Sequence, residues 1–489
     1  MPFNSVLIAN RGEIAIRLAR ALAEMNITSV AVYAEDDAES LHVRRADSAI
    51  ALTGQGAAAY LDMEQLISAA KAQGCDGIHP GYGFLSENAE FARRCQAAGI
   101  TFIGPAPEVL ETFGDKASAR RLALQKGVPL VQGTNEPTSL EQAREFMQSL
   151  GEGAAVMLKA LAGGGGRGMR AVRHLDELDE AFARCSSEAK SAFGNESLYI
   201  ERLITRARHI EVQVIGDGDE VSHLWERDCT LQRRNQKLLE IAPAPSLDAG
   251  VREQLLLAAR TLTQAVGYRG LCTVEFLLDE DAGDFVFMEA NPRIQVEHTV
   301  TEAVTGIDLA QTQIRLAAGA SLAELGLQQA QIPAASGFAV QLRVNLESMG
   351  EDGSARPAGG ILSAYEPPSG PGVRVDGYGY SGYTTSPRFD SLIAKLIVQA
   401  DDDYAGVLRR AYRALCEFRL EGVSSNLQFL QNLLQHAAVK ANDVSTGFIE
   451  AHASELTANQ SSAHPHRYFS AGKTAGTEQQ EAIAAPAGT

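Results

Sequence analysis

The sequence predicts a mixed α/β protein of several domains, with α+β character in parts, and three observations support this prediction. The chain has 489 residues, more than one hydrophobic core accommodates, so about two to four domains are expected. Short β-rich runs alternate with helical runs over roughly the first hundred residues. A β-rich module closed by helices begins at about residue 334.

The N-terminal region has the alternation of a parallel sheet covered by helices. The β-rich runs are "SVLIA", "TSVAVYA", "AIAL", "DGIHP" and "ITFIG". Between the first two, Glu13 to Met25 has helical spacing, with Ile14, Leu18 and Leu22 on one face. This layout is Rossmann-like. The first turn is "ANRGE" and not G-x-G-x-x-G, so a dinucleotide site is not supported.

Changes in pattern divide the chain into four parts. A Rossmann-like region covers 1–115, a central region covers 116–333, and the β-rich C-terminal region covers 334–453. The remainder, 454–489, is rich in Ala, Gly, Ser, Thr and Gln with few apolar anchors. That composition is typical of a disordered tail or linker.

The bulk composition excludes several classes of partner and compartment. A net charge of -18 argues against non-specific binding to nucleic acid or anionic membranes. No apolar run has the length of a membrane helix, and the N-terminus lacks the basic region of a signal peptide. The cysteines are scattered without metal or disulfide spacing. We therefore expect a cytoplasmic protein with buried, reduced cysteines.

The stretch "LKALAGGGGRGMRAV", Leu158 to Val172, places four glycines between two β-rich runs. Successive backbone N–H groups in such a hairpin loop form a nest for phosphate, with Lys159 and Lys116 as charged partners. The strand–loop–helix pattern of a P-loop is absent. A flexible hairpin tip is the alternative interpretation of the glycine run.

The stretch "CTVEFLLDEDAGDFVFMEANPR" predicts a hairpin with two opposed carboxylates. If its turn is centred on Ala282, Glu275 lies opposite Glu289, and Asn291 points to the same face. Like charges opposite one another destabilise a sheet, so a divalent Mg²⁺ or Mn²⁺ ion between them is expected. A register shift by one residue, which would turn one glutamate away, is the alternative.

The next segment, "NPRIQVEH", predicts an oxyanion site. If it is extended, Arg293, Gln295 and Glu297 share one side. They supply a planar fork for a small oxyanion, an amide and a base. A surface ladder of ion pairs would have the same residue types.

A basic stretch, "ERDCTLQRRNQK" at 226–237, stands out in this acidic chain. It contains Arg227, Arg233, Arg234 and Lys237, and we interpret it as neutralising phosphate, with a solvated charged face as the alternative. Together with the phosphate nest, the carboxylate pair and the oxyanion fork, it predicts activation of a small acid by ATP.

The motifs "IANRGEIAIR", "HPGYGFLSEN", "FIGP…GDK", "GGGGRGM", "ERDC..QRR.QK", "EIAPAP" and "NPRIQVEH" resemble the biotin carboxylase component of biotin-dependent carboxylases, in the ATP-grasp superfamily. The resemblance covers roughly residues 1–450. It implies a Rossmann-like N-terminal subdomain, an ATP-grasp domain with a mobile lid at about 133–204, and a β-rich C-terminal subdomain.

The resemblance also implies a reaction. Bicarbonate attacks the γ-phosphate of MgATP to give carboxyphosphate, which breaks down to CO₂ and phosphate. The ureido nitrogen of biotin then captures CO₂. Another ATP-grasp carboxylate ligase and an inactive scaffold subunit are the alternatives.

By motif match, the resemblance assigns roles to individual residues. For ATP binding it implies Lys116, Lys159, Gly164, Gly165, Gly166, Met169, Glu201, Arg202, Ile204, His209, Gln232 and Asn235. Metal ligands would be Glu275, Glu289 and Asn291, and the bicarbonate and biotin site would contain Tyr82, Arg293, Gln295, Val296, Glu297 and Arg343. Glu297 would be the general base, Lys237 would lie near the transferred phosphoryl group, and Arg343 would stabilise the biotin enolate.

Some features depart from the commonest family pattern. Asn235 stands where many members have histidine, and Arg388 stands where an aromatic residue is common. These variants suggest the module of a large fused carboxylase, such as an acyl-CoA carboxylase. Because the chain contains no Met-Lys pair, we expect the biotin carrier and the carboxyltransferase on other chains or in a continuation. A homodimer is expected by resemblance alone.

Overall fold

The N-terminal region is the predicted parallel sheet covered by helices. The computed structural model describes residues 3–134, 136–151, 153–161, 168–401, 403–459 and 463–469. The first elements are β1 Ser5–Ile8, α1 Gly12–Glu24, β2 Thr28–Tyr33, β3 Ser48–Ala51, α2 Met63–Ala72, β4 Gly77–His79, α3 Ala89–Ala97 and β5 Thr101–Phe102. The sheet order is β3-β2-β1-β4-β5, and α1 buries Ile14, Leu18 and Leu22 as its spacing predicts.

A pair of helices and a small antiparallel sheet follow. They are α4 Pro107–Gly114, α5 Lys116–Gln125, α6 Leu140–Ser149, β6 Val156–Ala160, β7 Met169–Val172, α7 Leu178–Phe193 and β8 Leu198–Arg202. The strand order is β7-β6-β8, and α6 and α7 cover one face through a separate apolar core. This unit coincides with the segment predicted as the lid.

The next part of the chain forms the strands of a large antiparallel sheet. Its elements are β9 Ala207–Asp217, β10 Val221–Arg233, β11 Gln236–Ala242, α8 Ala249–Gln264, β12 Arg269–Asp279, β13 Asp284–Asn291, α9 His298–Thr305, α10 Leu309–Ala317 and α11 Leu322–Leu325. The hydrophobic side of β9, β12 and β13 packs on α8. The other side of these strands faces the site described below.

The C-terminal region contributes further strands and a helical layer. Its elements are β14 Phe338–Asn345, β15 Glu347–Met349, β16 Ala355–Pro357, β17 Gly360–Ile361, β18 Ala364–Glu366, β19 Val373–Gly377, β20 Thr384–Thr385, β21 Leu392–Ala400, α12 Tyr404–Glu417, β22 Arg419–Glu421, α13 Leu427–Gln435, α14 Ala437–Ala441, α15 Phe448–Ala451 and α16 Ala453–Thr457. Short 3-10 helices lie at Glu35–Asp37, Leu41–Arg44, Gly56–Leu61, Leu175–Glu177 and Gln329–Gln331.

The large sheet has the order β13-β12-β9-β10-β11-β14-β21-β19. It therefore crosses the predicted boundary at residue 334, because β14 pairs with β11 over Leu239 to Ala242. That boundary divides the sequence but not the sheet, so the central and C-terminal regions share one continuous sheet.

The predicted tail needs a correction at its start. We placed it at 454–489, yet α16 runs to Thr457, and His464 is buried against the C-terminal helices. The segment is held by hydrogen bonds from Asn432 as well as by the buried Leu456, a combination that composition alone does not show. Residues 470–489 lie outside the described part of the chain.

The cysteines are free and buried, as predicted. Across the residues that the structure describes, we find no helix with the length and apolar character needed to cross a membrane.

Candidate active site

One cavity of about 820 Å³ collects the predicted site residues. It lies between the N-terminal sheet, the predicted lid and the large sheet. The described residues that were predicted as site residues and line it are Tyr82, Lys116, Lys159, Met169, Glu201, Arg202, Ile204, His209, Gln232, Asn235, Lys237, Glu275, Glu289, Asn291, Arg293, Gln295, Val296, Glu297 and Arg343. Gly164, Gly165 and Gly166 lie outside the described residues. The individual roles of all these residues stay predictions.

The opposed carboxylates are in the predicted register. Glu275 on β12 pairs with Glu289 on β13. The turn itself is centred half a residue before Ala282, because Asp279 pairs with Asp284, and a β-bulge at Met288 restores the predicted pairing. The bulge places Met288 and Glu289 consecutively on the cavity wall.

The charge pattern at this pair fits a bound cation. Burial and repulsion from Glu275 raise the pKa of Glu289. Burial opposes ionisation of Glu275, but Lys237 and His209 outweigh it and lower the pKa of Glu275. Two paired carboxylates, one buried and one half-buried, supply the oxygen ligands that Mg²⁺ and Mn²⁺ prefer.

Hydrogen bonds fix the orientation of Glu275. Its Oε1 accepts from Asn291 Nδ2 at 2.9 Å and from Gln295 Nε2 at 3.2 Å, and its Oε2 lies 2.8 Å from His209 Nε2. Gln232 Nε2 donates to His209 Nδ1 at 2.6 Å, so the hydrogen of a neutral imidazole sits on Nε2. Hydrogen bonds and close contacts thus fix the predicted metal residues Glu275 and Asn291 and the predicted nucleotide residues His209 and Gln232 relative to one another.

Glu297 lies between two cations. Its Oε1 is 2.7 Å from Lys237 Nζ, and its Oε2 accepts from Arg343 Nη2 at 3.0 Å. Burial opposes its ionisation, but Lys237 and Arg343 together hold the pKa of Glu297 well below its ordinary value. Lys237 is half-buried; burial opposes its charge, but Glu211, Glu275 and Glu297 outweigh this effect and raise the pKa of Lys237. Glu297 is therefore an ionised base held by Lys237 and Arg343.

The alternation of charge continues on both sides of Glu297. Lys237 Nζ also donates to Glu211 Oε2 at 2.5 Å, and Glu211 Oε1 accepts from the fully buried Arg227. On the other side, Arg343 Nε donates to Glu240 Oε1 at 2.5 Å. Each charge in this chain of ion pairs therefore has a neighbour of opposite sign, while burial and repulsion from Glu297 raise the pKa of Glu240.

The oxyanion segment is not extended, which corrects our prediction of its conformation. The His298 N–H donates to the Gln295 carbonyl at 3.3 Å, and Glu297 has φ -85° and ψ 6° as it begins α9. The turn brings Gln295 and Glu297 to the cavity by a different geometry from strand alternation. Arg293 is separate from them, with Nε 3.0 Å from Glu87 Oε1.

The basic stretch proves to be a hairpin, and most of its charges are used in ion pairs. Arg227 pairs with Glu211, and Arg233 pairs with Glu347 at 2.6 Å. Neither these two nor the exposed Arg234 is among the residues that line the cavity. Our interpretation of the stretch as a phosphate site is therefore wrong for these arginines, and Lys237 is the one of the four named cations that lines the cavity.

The predicted nucleotide end of the cavity contains a shared carboxylate. Glu201 on β8 pairs with Lys159 Nζ at 2.5 Å and with Arg120 Nη1 at 2.6 Å. Lys159 lies directly opposite Met169, so the hairpin predicted around the glycine run is present. A charged phosphate chain would compete with Glu201 for Lys159, while Arg120 still holds the carboxylate.

The turn that carries Tyr82 is fixed from several sides. Asn10 Nδ2 donates to the carbonyls of Pro80 at 2.7 Å and Tyr82 at 2.8 Å. The Gly81 N–H donates to His79 Nδ1 at 3.0 Å. The Tyr82 hydroxyl donates to the buried Glu13. The "NRGE" and "HPGYG" motifs thus contact one another.

Sequence reasoning missed several charged residues of the site, among them Glu13, Glu211, Glu240 and Lys395. Glu240 and Lys395 interrupt otherwise apolar runs, as in "LIAKLIVQA". In "HIEVQVIGD", His209, Glu211 and Gln213 alternate with apolar residues, so a polar face of β9 was detectable. A lone charge within a buried strand is the signal that we did not use.

Three family models match the chain in succession. "Biotin carboxylase, N-terminal domain" matches residues 2–110, "Carbamoyl-phosphate synthase L chain, ATP binding domain" matches 115–325, and "Biotin carboxylase C-terminal domain" matches 341–451.

Whole-chain comparisons give related proteins of two lengths. A biotin carboxylase from Nostoc sp. is 46% identical over 92% of this chain and 99% of its own length. Pyruvate carboxylase 1 from Caenorhabditis elegans is 48% identical over 92% of this chain. The match spans 38% of the length of that pyruvate carboxylase.

Solved structures have the same fold. The biotin carboxylase domain of a single-chain bacterial carboxylase is 51% identical, covers 95% of this chain and 100% of its own, and has a TM-score of 0.84. The biotin carboxylase domain dimer of Hydrogenobacter thermophilus 2-oxoglutarate carboxylase, in complex with MgADP, ADP and bicarbonate, is 40% identical, covers 94% and 100% of the two chains, and has a TM-score of 0.87.

Proposed function

The chain belongs to the biotin carboxylase family, and on that premise we propose that it catalyses the MgATP-dependent carboxylation of biotin by bicarbonate. The observation that carries the proposal is Glu297, a buried and ionised carboxylate between Lys237 and Arg343 at the bottom of the cavity. A base between two cations suits a reaction in which an anion loses a proton and attacks a phosphate.

The residues act by binding and by moving a proton. Bicarbonate in the turn of Gln295 to Glu297 gives its proton to Glu297, and its oxygen forms a bond to the γ-phosphorus as the bond to ADP breaks. Glu275 and Glu289 would hold the metal ion, which would supply positive charge against the phosphates. As Lys237 is shared with the phosphoryl oxygens, its hold on Glu297 weakens and the carboxylate becomes more basic.

Carboxyphosphate then breaks down to CO₂ and phosphate, and the ureido nitrogen of biotin gives its proton to that phosphate as it forms a bond to CO₂. Arg343 is oriented for the negative charge that develops on the ureido oxygen of biotin, because Glu240 fixes its Nε and leaves the guanidinium facing the cavity. Tyr82 also lines the cavity and belongs to the part of the site proposed for biotin.

The partners belong to the same proposal. Biotin reaches the cavity on a carrier protein, and the carboxyltransferase that uses it lies on another chain or in a continuation. That carboxyltransferase determines the final carboxyl acceptor, and therefore whether the whole enzyme is of the acyl-CoA carboxylase type. A homodimer is proposed because the relative from Hydrogenobacter thermophilus is a domain dimer. We place the enzyme in the cytoplasm.

Phosphate release from ATP tests the proposal. We expect hydrolysis to require bicarbonate and to be stimulated by free biotin. Glu297→Gln removes the base and should lower turnover by about 10²- to 10⁴-fold while the enzyme still binds ATP. Glu226→Gln is the matched control, because Glu226 is equally buried but lies outside the cavity. ATP turnover that does not depend on bicarbonate would indicate another carboxylate ligase. The absence of any turnover would indicate an inactive scaffold.

A further inference from the structure

Lys395 is a buried cation that the mechanism does not use. It lies on β21 in the apolar run "LIAKLIVQA", and its side chain has 0% exposure. A lysine in such a position is rare because burial disfavours its charge. The contacts of its ammonium group therefore need an explanation.

The ammonium group joins three distant parts of the chain. Lys395 Nζ lies 3.0 Å from Glu13 Oε2, on α1 of the N-terminal region. It also donates to the Val296 carbonyl at 3.0 Å, in the turn between β13 and α9. Lys395 itself belongs to the C-terminal region.

Both partners of Lys395 lead into the cavity. Val296 and the adjacent Glu297 form the turn proposed to hold bicarbonate, and both line the cavity. Glu13 accepts the hydroxyl hydrogen of Tyr82, on the side proposed for biotin. On the sheet, Lys395 lies directly opposite Arg343 of β14.

We propose that Lys395 is a positioning residue for carboxylation, which fixes the bicarbonate turn through the Val296 carbonyl and the Tyr82 hydroxyl through Glu13. This inference rests on the proposed function. In this role Lys395 sets the distance between the bicarbonate and biotin sites. The second step depends on that distance because CO₂ has to reach the biotin nitrogen.

Stability alone does not account for this pair. Replacing a buried ion pair with apolar residues of similar volume is often neutral or stabilising. A methionine has nearly the length of the lysine stem and would fill the same space without the charge. The carbonyl of Val296 would then lose its charged donor, and the turn its anchor.

Three variants separate positioning from folding. Lys395→Met removes the cation but leaves Glu13 buried. Lys395→Met combined with Glu13→Gln removes both charges and retains an acceptor for Tyr82. Arg252→Met is the matched control, because Arg252 pairs with the buried Glu226 at 2.8 Å outside the cavity. For each we would measure the thermal midpoint and the KM values for bicarbonate and ATP.

We expect the KM for bicarbonate to rise about tenfold in Lys395→Met and to stay raised in the double variant, while the KM for ATP changes less than about twofold. The thermal midpoint of the double variant should return most of the way to the wild-type value. Arg252→Met should lower the thermal midpoint without changing either KM. A wild-type KM for bicarbonate in the double variant, an equal rise in Arg252→Met, or a double variant that does not fold would each overturn the inference. If the wild-type enzyme lacks bicarbonate-dependent turnover, the proposed function fails instead.

Discussion

Asn235 illustrates how one residue answers to the backbone and to the site together. Arg234 and Asn235 form a two-residue turn between β10 and β11, with φ values of 48° and 66°. Positive φ at both positions is typical of a type I′ hairpin turn, in which asparagine is favoured. The same side chain lines the cavity. The departure from histidine noted in the sequence is therefore compatible with the local backbone.

Substitution of Asn235 separates its two roles. Asn235→Gly retains the turn but removes the side chain, so the KM for ATP should rise about twofold to tenfold, as expected for one lost hydrogen bond. Asn235→His should keep the KM within about threefold of the wild-type value, because histidine tolerates positive φ and supplies a donor or an acceptor. Steady-state kinetics with ATP as the varied substrate checks both. An unchanged KM in Asn235→Gly would leave the turn as the sole reason for this residue.

At the scale of elements, the turn after β4 places Tyr82 through a close approach. Gly81 has φ 63°, and a Cβ there would lie 2.8 Å from Asn10 Nδ2. Asn10 could not then donate to both Pro80 and Tyr82 without moving. Gly83 has a similar φ of 68°, but nothing lies within 4 Å of the corresponding Cβ.

The pair Gly81→Ala and Gly83→Ala tests this turn. Both variants bear the cost of a left-handed alanine, about 1 kcal/mol. Only Gly81→Ala also displaces Asn10, so its thermal midpoint should fall further and its stimulation by free biotin should decrease. Calorimetry and the biotin-stimulated phosphate assay measure the two effects. Equal losses of stability in both variants would contradict a specific contact with Asn10.

The elements also show where sequence patterns suffice and where they fail. Alternation of apolar residues predicted β12 and β13, and the pairing of Glu275 with Glu289 was correct. It was correct because the bulge at Met288 offsets the shifted turn, and neither feature has a signature in single-residue periodicity. The turn at Gln295 to Glu297 was misjudged because its conformation depends on hydrogen bonds that a local pattern does not encode.

At the scale of the whole molecule, the large sheet brings the site together. Glu275, Glu211, Lys237 and Arg343 lie on four of its strands, β12, β9, β11 and β14. Their charges come from segments far apart in sequence, so composition gave no indication of the alternating chain that they form. The motifs identified many of the charged and polar residues of the cavity, whereas their ion-pair partners Glu211 and Glu240 become evident only from the sheet order.

The last described residues pack back onto the C-terminal helices through His464. The amide nitrogen of Asn432 donates to the Leu456 and Ala458 carbonyls, so its oxygen accepts from His464 Nε2, at 2.6 Å. His464 Nδ1 then accepts from the Tyr412 hydroxyl at 2.9 Å. The imidazole is therefore neutral, and burial lowers its pKa.

This arrangement predicts that His464 fastens the end of the described chain and does so in a pH-dependent way. His464→Ala should reduce stability by about 1–3 kcal/mol through two lost hydrogen bonds and accelerate proteolysis within 463–469. His466→Ala is the control, because His466 is exposed.

Since the folded-state pKa of His464 is depressed, the stabilisation by His464 is complete above the ordinary histidine value of about 6.5 and decreases as the pH falls below it. Proteolysis rates that are the same for both variants, or that do not increase on acidification of the wild-type protein, would contradict this role. The segment would then be held by Asn432 and the Arg467 N–H bond to Cys416 alone.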